Sequence, residues 1–220
     1  DDDSRTLEAK VIHLIDAYNA DRLKLAAVRN SDKLAEMLDD SIKWSRAVKN
    51  DLKNNREYSF DSKKVGASLY RPFVKRVLYF DKQLNEMQYQ LDRLFPACGV
   101  ANQYISFVSG SRLDFATFVG DTIPNYAIYS LDPAQCVSLY RFDANGNRTD
   151  NITDWALKQF TAHYADEIGK GKGARKITKE VIFHYCYAVL HDPLYREKYT
   201  LNLKREFPRI PFYANFWQWA

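Results

Sequence analysis

Gln103–Asp121 reads QYISFVSGSRLDFATFVGD, and its two runs of aromatic and β-branched residues around Ser109-Gly110-Ser111 decide the fold. Tyr104–Val108 and Leu113–Val119 carry residue types that fit a pleated, half-buried surface, and the Ser-Gly-Ser between them is turn chemistry. So short a gap permits an antiparallel pairing but not the helical crossover that a parallel pair needs. The same grammar extends outward from Ser59 to Asp143. It predicts further strands at Leu69–Phe80, Tyr126–Ser130 and Cys136–Phe142, with turns at Gly120-Asp121 and Asp143–Gly146. Residues 58–150 are therefore expected to form a small, mostly antiparallel β-sheet.

On the N-terminal side the pattern is helical. Leu7, Val11, Leu14, Ile15 and Tyr18 form the stripe of an amphipathic helix, with Ser4 placed to cap it. A second helix is expected after Ser31 or Asp32, with Leu34, Leu38, Ile42, Val48 and Leu52 on one face. Neither stripe keeps a strict heptad, so residues 1–57 read as a helical hairpin or connector rather than a coiled coil.

Residues 151–220 return to helix. Asn151 or Thr153 caps a helix through Trp155, Leu157 and Phe160, and Thr178 caps another through Val181–Leu190 that is apolar nearly all round and so expected to be buried. His191-Asp192-Pro193 ends it, because proline lacks the next amide and disfavours helix in the residue before it. Tyr195–Glu206 reads as an amphipathic helix. The following PRIPFYANFWQW, with two prolines and five aromatics, reads as an extended segment. The fold class is α+β: an N-terminal helical hairpin, a central mostly antiparallel sheet, C-terminal helices and an aromatic tail.

Composition sets outer limits. With 220 residues, 46% hydrophobic and 27% charged, the chain can bury a core as one large domain or two small ones. The net charge of +4 permits a polyanionic partner without requiring one, and the basic excess lies in the last 60 residues, which carry 10 Lys and Arg against 6 Asp and Glu. Cys98, Cys136 and Cys186 are odd in number and widely spaced. This argues against a disulfide framework or a paired-cysteine metal site and for a reducing cytoplasm. No apolar run approaches a membrane span, and Asp1-Asp2-Asp3 is the opposite of a basic signal-peptide start.

Catalytic motifs are missing. Gly169-Lys170-Gly171-Lys172-Gly173 has the composition of a phosphate-binding loop but not its spacing, and reads as a basic loop that could touch phosphates. There is no Pro-Pro pair for an adenine methyltransferase motif, and Glu8-Ala9-Lys10 matches a nuclease element only inside a helix. His13, His163, His184 and His191 lack metal-ligand spacing. His184 is expected to be a core histidine, and His191 a helix-end residue that complements the dipole. No serine sits in a nucleophile elbow and no cysteine is paired with a histidine, so no catalytic residue is assigned.

What remains suits nucleic acid. Arg71, Lys75 and Arg76 set cations among strand residues, where they could meet phosphates or the guanine edge; for Arg71, a tie to an acidic neighbour serves equally well. Asn102, Gln103, Ser109 and Arg112 stand at strand ends, and Asn or Gln reads adenine with paired donor and acceptor. Lys172 and Arg175 add positive charge near the glycine-rich loop.

SLYRPFVKRVLYFD at Ser68–Asp81, NITDWAL at Asn151–Leu157, ITKEVIFHYCYAVLHDPLYREKY at Ile177–Tyr199 and NLKREFPRIPFYANFW at Asn202–Trp217 closely resemble the C-terminal region of type ISP restriction-modification enzymes, often labelled DNA helicases. The resemblance runs from about Ile42 onward. It implies a target-recognition domain over residues 58–220, with double-stranded DNA as partner and with the reading residues in the variable middle, roughly Ala97–Asp143. It implies no cofactor for this region. For the parent polypeptide it implies nuclease, translocase and adenine methyltransferase domains using ATP, Mg and S-adenosylmethionine. Val74 departs from the family, which commonly has an acidic residue there. The alternative is a coupling module that docks methyltransferase to motor through the C-terminal helices and Phe212, Tyr213, Phe216, Trp217 and Trp219.

Overall fold

Val11, Ile15 and Tyr18 lie on the buried face of helix α1 (Ser4–Ala27), as their spacing requires. The structure is a computed structural model and describes residues 1–27, 38–108, 113–129, 132–169 and 174–220. The chain divides into two compact units. The first holds Asp1–Ser68, Lys75–Asp92 and Ala97–Gly99; the second holds Leu69–Val74, Arg93–Pro96 and Val100–Ala220.

In the first unit α1 is capped one residue earlier than expected. The Asp3 carboxylate, not Ser4, accepts the Thr6 amide at 2.9 Å, and that bond lowers its pKa. The core gathers Val11, Ile15, Tyr18, Ile42, Val48, Leu52, Tyr58 and Tyr79. Tyr18 and Tyr58 stack with ring centroids 4.0 Å apart, and the Asn19 amide brackets Tyr58, donating to its carbonyl and accepting from its N–H. The second helix is shorter than expected. Among the described residues it is present only over α2 (Arg46–Lys53), behind the Ser45 cap. Leu34 lies outside the described residues. Asp39 bonds the Ser41 amide at 2.8 Å while its carbonyl takes the Trp44 indole N–H at 2.7 Å, a local turn that outcompetes helix over 39–45.

Leu69–Phe80, expected as one strand, is a hairpin of β1 (Val65–Arg71) and β2 (Val74–Tyr79) turning at Pro72-Phe73. In the second unit β3 (Tyr104–Val108) is central, antiparallel to both β4 (Ala116–Gly120) and β6 (Gln135–Ser138), with Ser106 opposite Phe118 and Cys136. All five β3 residues are buried because both faces are covered. Ile105 joins the helical core and Phe107 meets Phe115 and Phe207, while Tyr104 faces Phe95 and Ser106 bonds Tyr129.

Among the described residues, three small sheets replace the single one expected. Cys136–Phe142 changes partners at Leu139, where β6 gives way to β7 (Tyr140–Phe142) paired with β8 (Arg148–Asp150). The two-residue β5 (Ile123–Pro124) pairs with β1. Tyr126–Tyr129 is turn rather than strand, since the Asn125 side chain captures the Ala127 amide at 2.9 Å. Ser130 lies outside the described residues.

The helical part starts as its caps dictate. Thr153 caps Asp154–His163 and Thr178 caps Lys179–His191, each hydroxyl accepting an amide three residues on at 3.2 Å. The second of these helices is not buried all round. Glu180, His184 and His191 form an exposed stripe opposite Ile182, Tyr185 and Val189, so His184 is not a core histidine. His191 stands at the end of this helix, its Nδ1 3.4 Å from the Arg196 guanidinium, and partial desolvation together with that cation lowers its pKa. Asp192 caps the next helix, Pro193–Lys198. The amphipathic helix expected over Tyr195–Glu206 breaks at Tyr199, where Thr200 Oγ1 takes the Arg196 and Glu197 carbonyls at 2.7 and 2.8 Å.

Tyr213, Phe216, Trp217 and Trp219 pack into the core of their own unit, while Phe212 is exposed. Phe216 is fully buried, and tyrosine hydroxyls hold the tail backbone: Tyr164 donates to Tyr213 O, Tyr185 to Pro211 O and Tyr195 to Arg209 O, at 2.8, 2.8 and 3.0 Å.

Candidate nucleic-acid interface

Arg71 ends β1, and its guanidinium lies 4.4 Å over the Tyr70 ring while donating to the carbonyls of Tyr70 and Ala127, both at 2.9 Å. Both of these bonds are to backbone carbonyls. Together with the Asn125 amide on Leu69 O at 2.9 Å, they pin the hairpin tip to residues 125–127. Beyond the pin, Phe73 is 88% exposed, with one ring edge against Phe118 at 5.0 Å.

Asn102 and Gln103, adjacent in sequence, are opposite in character. Asn102 is buried. Its amide nitrogen donates to Leu94 O and Tyr140 O, both at 2.9 Å, and its oxygen accepts the Gln103 and Tyr140 amides at 2.8 and 3.2 Å. The side chain thus pairs with Tyr140 as a strand neighbour would, at the point where the chain leaves β6 for β7. Its donors and its acceptor are thus engaged within the fold. Gln103 is exposed, with its carbonyl held by the Leu139 amide at 2.8 Å.

Lys75 and Arg76 are exposed on β2 in the first unit, where Arg76 forms an ion pair with Asp2. A pair between two such exposed groups is worth about 0–1 kcal/mol, little enough for a phosphate to displace Asp2. Arg175 is exposed, with its guanidinium 5.1 Å from the Trp217 ring. Ser109, Arg112 and Lys172 lie outside the described residues. Gln103 stands before the first residue of β3 and the chain leaves that strand at Val108, so the strand separates Gln103 from the exit by about 15 Å.

Comparison with known proteins decides the family. The model of the Type ISP C-terminal specificity domain matches residues 1–220. The chain belongs to that family. No curated protein matches it. Among solved structures, this specificity domain is similar to a chain of the DrdV–DNA complex solved by electron cryomicroscopy, with 42% identity and a TM-score of 0.83 over 97% of its length. It is similar to a nuclease-deletion mutant of the Type ISP restriction-modification enzyme LlaGI in complex with a DNA substrate mimic, with 26% identity and a TM-score of 0.74 over 94%. The ATP-dependent enzyme LlaBIII, bound to DNA, shares the fold at 20% identity and a TM-score of 0.71 over 97%. The specificity domain spans 20%, 18% and 13% of those chains.

Two features of the specificity domain escaped the sequence. Phe73 was hidden inside an apparent strand, and Pro72 ahead of it was the signal for a turn. Ser106 gave no signal: its hydroxyl donates to Phe118 O at 2.9 Å, while Thr117 and Tyr129 bond its carbonyl, a buried polar knot that fixes β3 against β4. Among the described residues no group of three His, Cys, Asp or Glu could hold a metal ion, and no helix is long and apolar enough to cross a membrane.

Proposed function

We propose that this specificity domain recognises a particular sequence in double-stranded DNA and thereby directs the activities of a longer restriction-modification polypeptide. The observation that carries the reading is the family match over the whole chain, joined to 42% identity with a chain solved on DNA. Phosphate contacts from exposed cations such as Lys75, Arg76 and Arg175 would supply affinity that falls with salt, and exposed amides such as Gln103 would supply base preference. ATP-driven movement, cleavage and adenine methylation would be the work of other domains of that polypeptide.

The test is selection of a bound duplex from a randomised pool by the native polypeptide that contains these residues. The pool is then compared for Gln103→Ala, Lys75→Ala and an exchange of residues 97–143 with a relative. Gln103→Ala is expected to relax preference at particular base pairs, Lys75→Ala to weaken all sequences alike, and the exchange to transfer the relative's preference. Unchanged preference after all three changes would overturn the reading.

A second role rests on a separate observation. Trp155, Leu194, Leu201 and Phe207 are large apolar side chains exposed on the helical part of the second unit. They favour an additional docking face toward another domain of the same polypeptide, and substituting them should impair coupling while leaving base preference intact.

A further inference from the structure

We propose that Phe73 is a wedge that enters the base stack of the bound duplex. The inference rests on the reading of this domain as a DNA-recognition module and adds to it a contact of a different kind, with the stack rather than with a groove edge or a phosphate.

The backbone is the first argument. Arg71-Pro72-Phe73-Val74 is a turn with proline at its second position and Phe73 at its third, where φ is +66°. That arrangement ordinarily takes glycine or asparagine at the third position, because a Cβ is strained there. A bulky aromatic in a left-handed conformation, 88% exposed, contributes neither an easy turn nor a buried core. Such strain persists where the surrounding structure over-determines it and function uses it.

Rigidity is the second argument. The two carbonyl bonds of Arg71, the Asn125 amide on Leu69 O and the edge contact with Phe118 fix the tip from three directions. Tyr70 and Val74, each partly exposed, flank Phe73 as a narrow apolar ridge. A single projecting ring on a pinned turn is the shape that enters between base pairs, whereas a protein-docking face needs breadth.

Charge supplies the third argument. From Val65 to Phe80 the hairpin has no Asp or Glu, while Arg71, Lys75 and Arg76 fall within four residues of Phe73. An apolar ring between cations suits a partner whose apolar stack lies between two lines of phosphate.

The experiment uses the native polypeptide and the duplex that the wild-type protein selects from a randomised pool, with 2-aminopurine walked through each position to report unstacking. The wild type is expected to raise fluorescence several-fold at one base step. Phe73→Gly, which fits the turn better than phenylalanine and so keeps the fold, should abolish the rise and weaken binding at least tenfold. Phe73→Trp should retain both. An abasic site at the affected step should restore much of the lost binding to Phe73→Gly, since the stack is already open there. Equal affinity and an unchanged fluorescence profile for Phe73→Gly would overturn the wedge while leaving sequence recognition standing. So would a wild type that selects a duplex but unstacks no step. Failure of the wild type to select any duplex would overturn the recognition reading, and the wedge with it.

Discussion

Replacing Asn102 with alanine separates a frame residue from a base-reading residue. The side chain makes four hydrogen bonds within 3.2 Å, two donated to the Leu94 and Tyr140 carbonyls and two accepted from the Gln103 and Tyr140 amides. Each intramolecular bond is worth about 1 kcal/mol net, and a buried group left unpaired costs about 1–3 kcal/mol. Admission of one water to the vacated space offsets part of the loss, so the junction between β6 and β7 should lose about 3 kcal/mol of local stability. At about 1.4 kcal/mol per decade, amide hydrogen exchange in peptides covering 102–108 and 138–142 should accelerate about 100-fold. Asn102→Asp should cost at least as much. It keeps the two accepted bonds but turns an oxygen toward two carbonyls that had received N–H. The base preference of the folded fraction should be unchanged. Unaltered exchange combined with a changed preference at one base pair would refute this reasoning and return Asn102 to the duplex.

Three further perturbations follow from the same unit. Tyr104 is fully buried and, among the described residues, its hydroxyl has no hydrogen-bond partner, so Tyr104→Phe should raise the melting temperature through a gain of about 1 kcal/mol. Gly120→Ala would drive a methyl into that hydroxyl and should destabilise by about 1–3 kcal/mol in the same melting measurement. Asp143 has a pKa lowered by the Asn147 side chain and by the backbone amides of the turn joining β7 to β8. A carboxyl lowered in the folded state contributes its stability above the unfolded value of about 3.9, and that stability is lost as pH falls through the folded value. Exchange at the Asn145 and Asn147 amides should therefore be insensitive to this group near neutrality and accelerate specifically on acidification below about pH 4. An equal acid response in Asp143→Ala would refute the assignment.

Legibility in the sequence tracked how local the governing interaction is. Val11, Ile15 and Tyr18 announce a helix face because side chains three and four apart share it, and Thr153 and Thr178 announce helix starts because a hydroxyl reaches only its own first turn. Tyr104–Val108 was legible to the residue as a strand. The break between β6 and β7 was not, because it depends on Asn102 acting as a substitute strand partner for Tyr140, 38 residues away. His184 was misread because a helix rich in Ile, Phe, Tyr and Val can still keep one narrow exposed edge. Asp39 and Ser41 interrupted the N-terminal stripe through side-chain bonds that a count of apolar spacing does not register. In the candidate site, the choice of Arg71 and Asn102 recognised chemistry that can read bases, but residue type alone does not tell whether that chemistry is already engaged by backbone.

That engagement can be weighed for Arg71. To reach a guanine edge its guanidinium would have to release the Ala127 and Tyr70 carbonyls. Hydrogen bonds to a charged group are worth about 1.5–3 kcal/mol each, whereas a bidentate contact with guanine returns about 1–3 kcal/mol of discrimination. The exchange gains nothing and would also loosen the turn that presents Phe73, so Arg71 is better understood as the pin of the tip. Gln103 faces the opposite balance. It is exposed, and among the described residues its side chain has no bond to break, so a paired contact with adenine would return its full value. If Arg71 holds the frame and Gln103 reads, Arg71→Lys should disorder the hairpin tip and weaken recognition at the step that Phe73 occupies, while preference at the base pair read by Gln103 survives. Loss of preference at a single guanine, with exchange across residues 69–74 unchanged, would reverse the two roles.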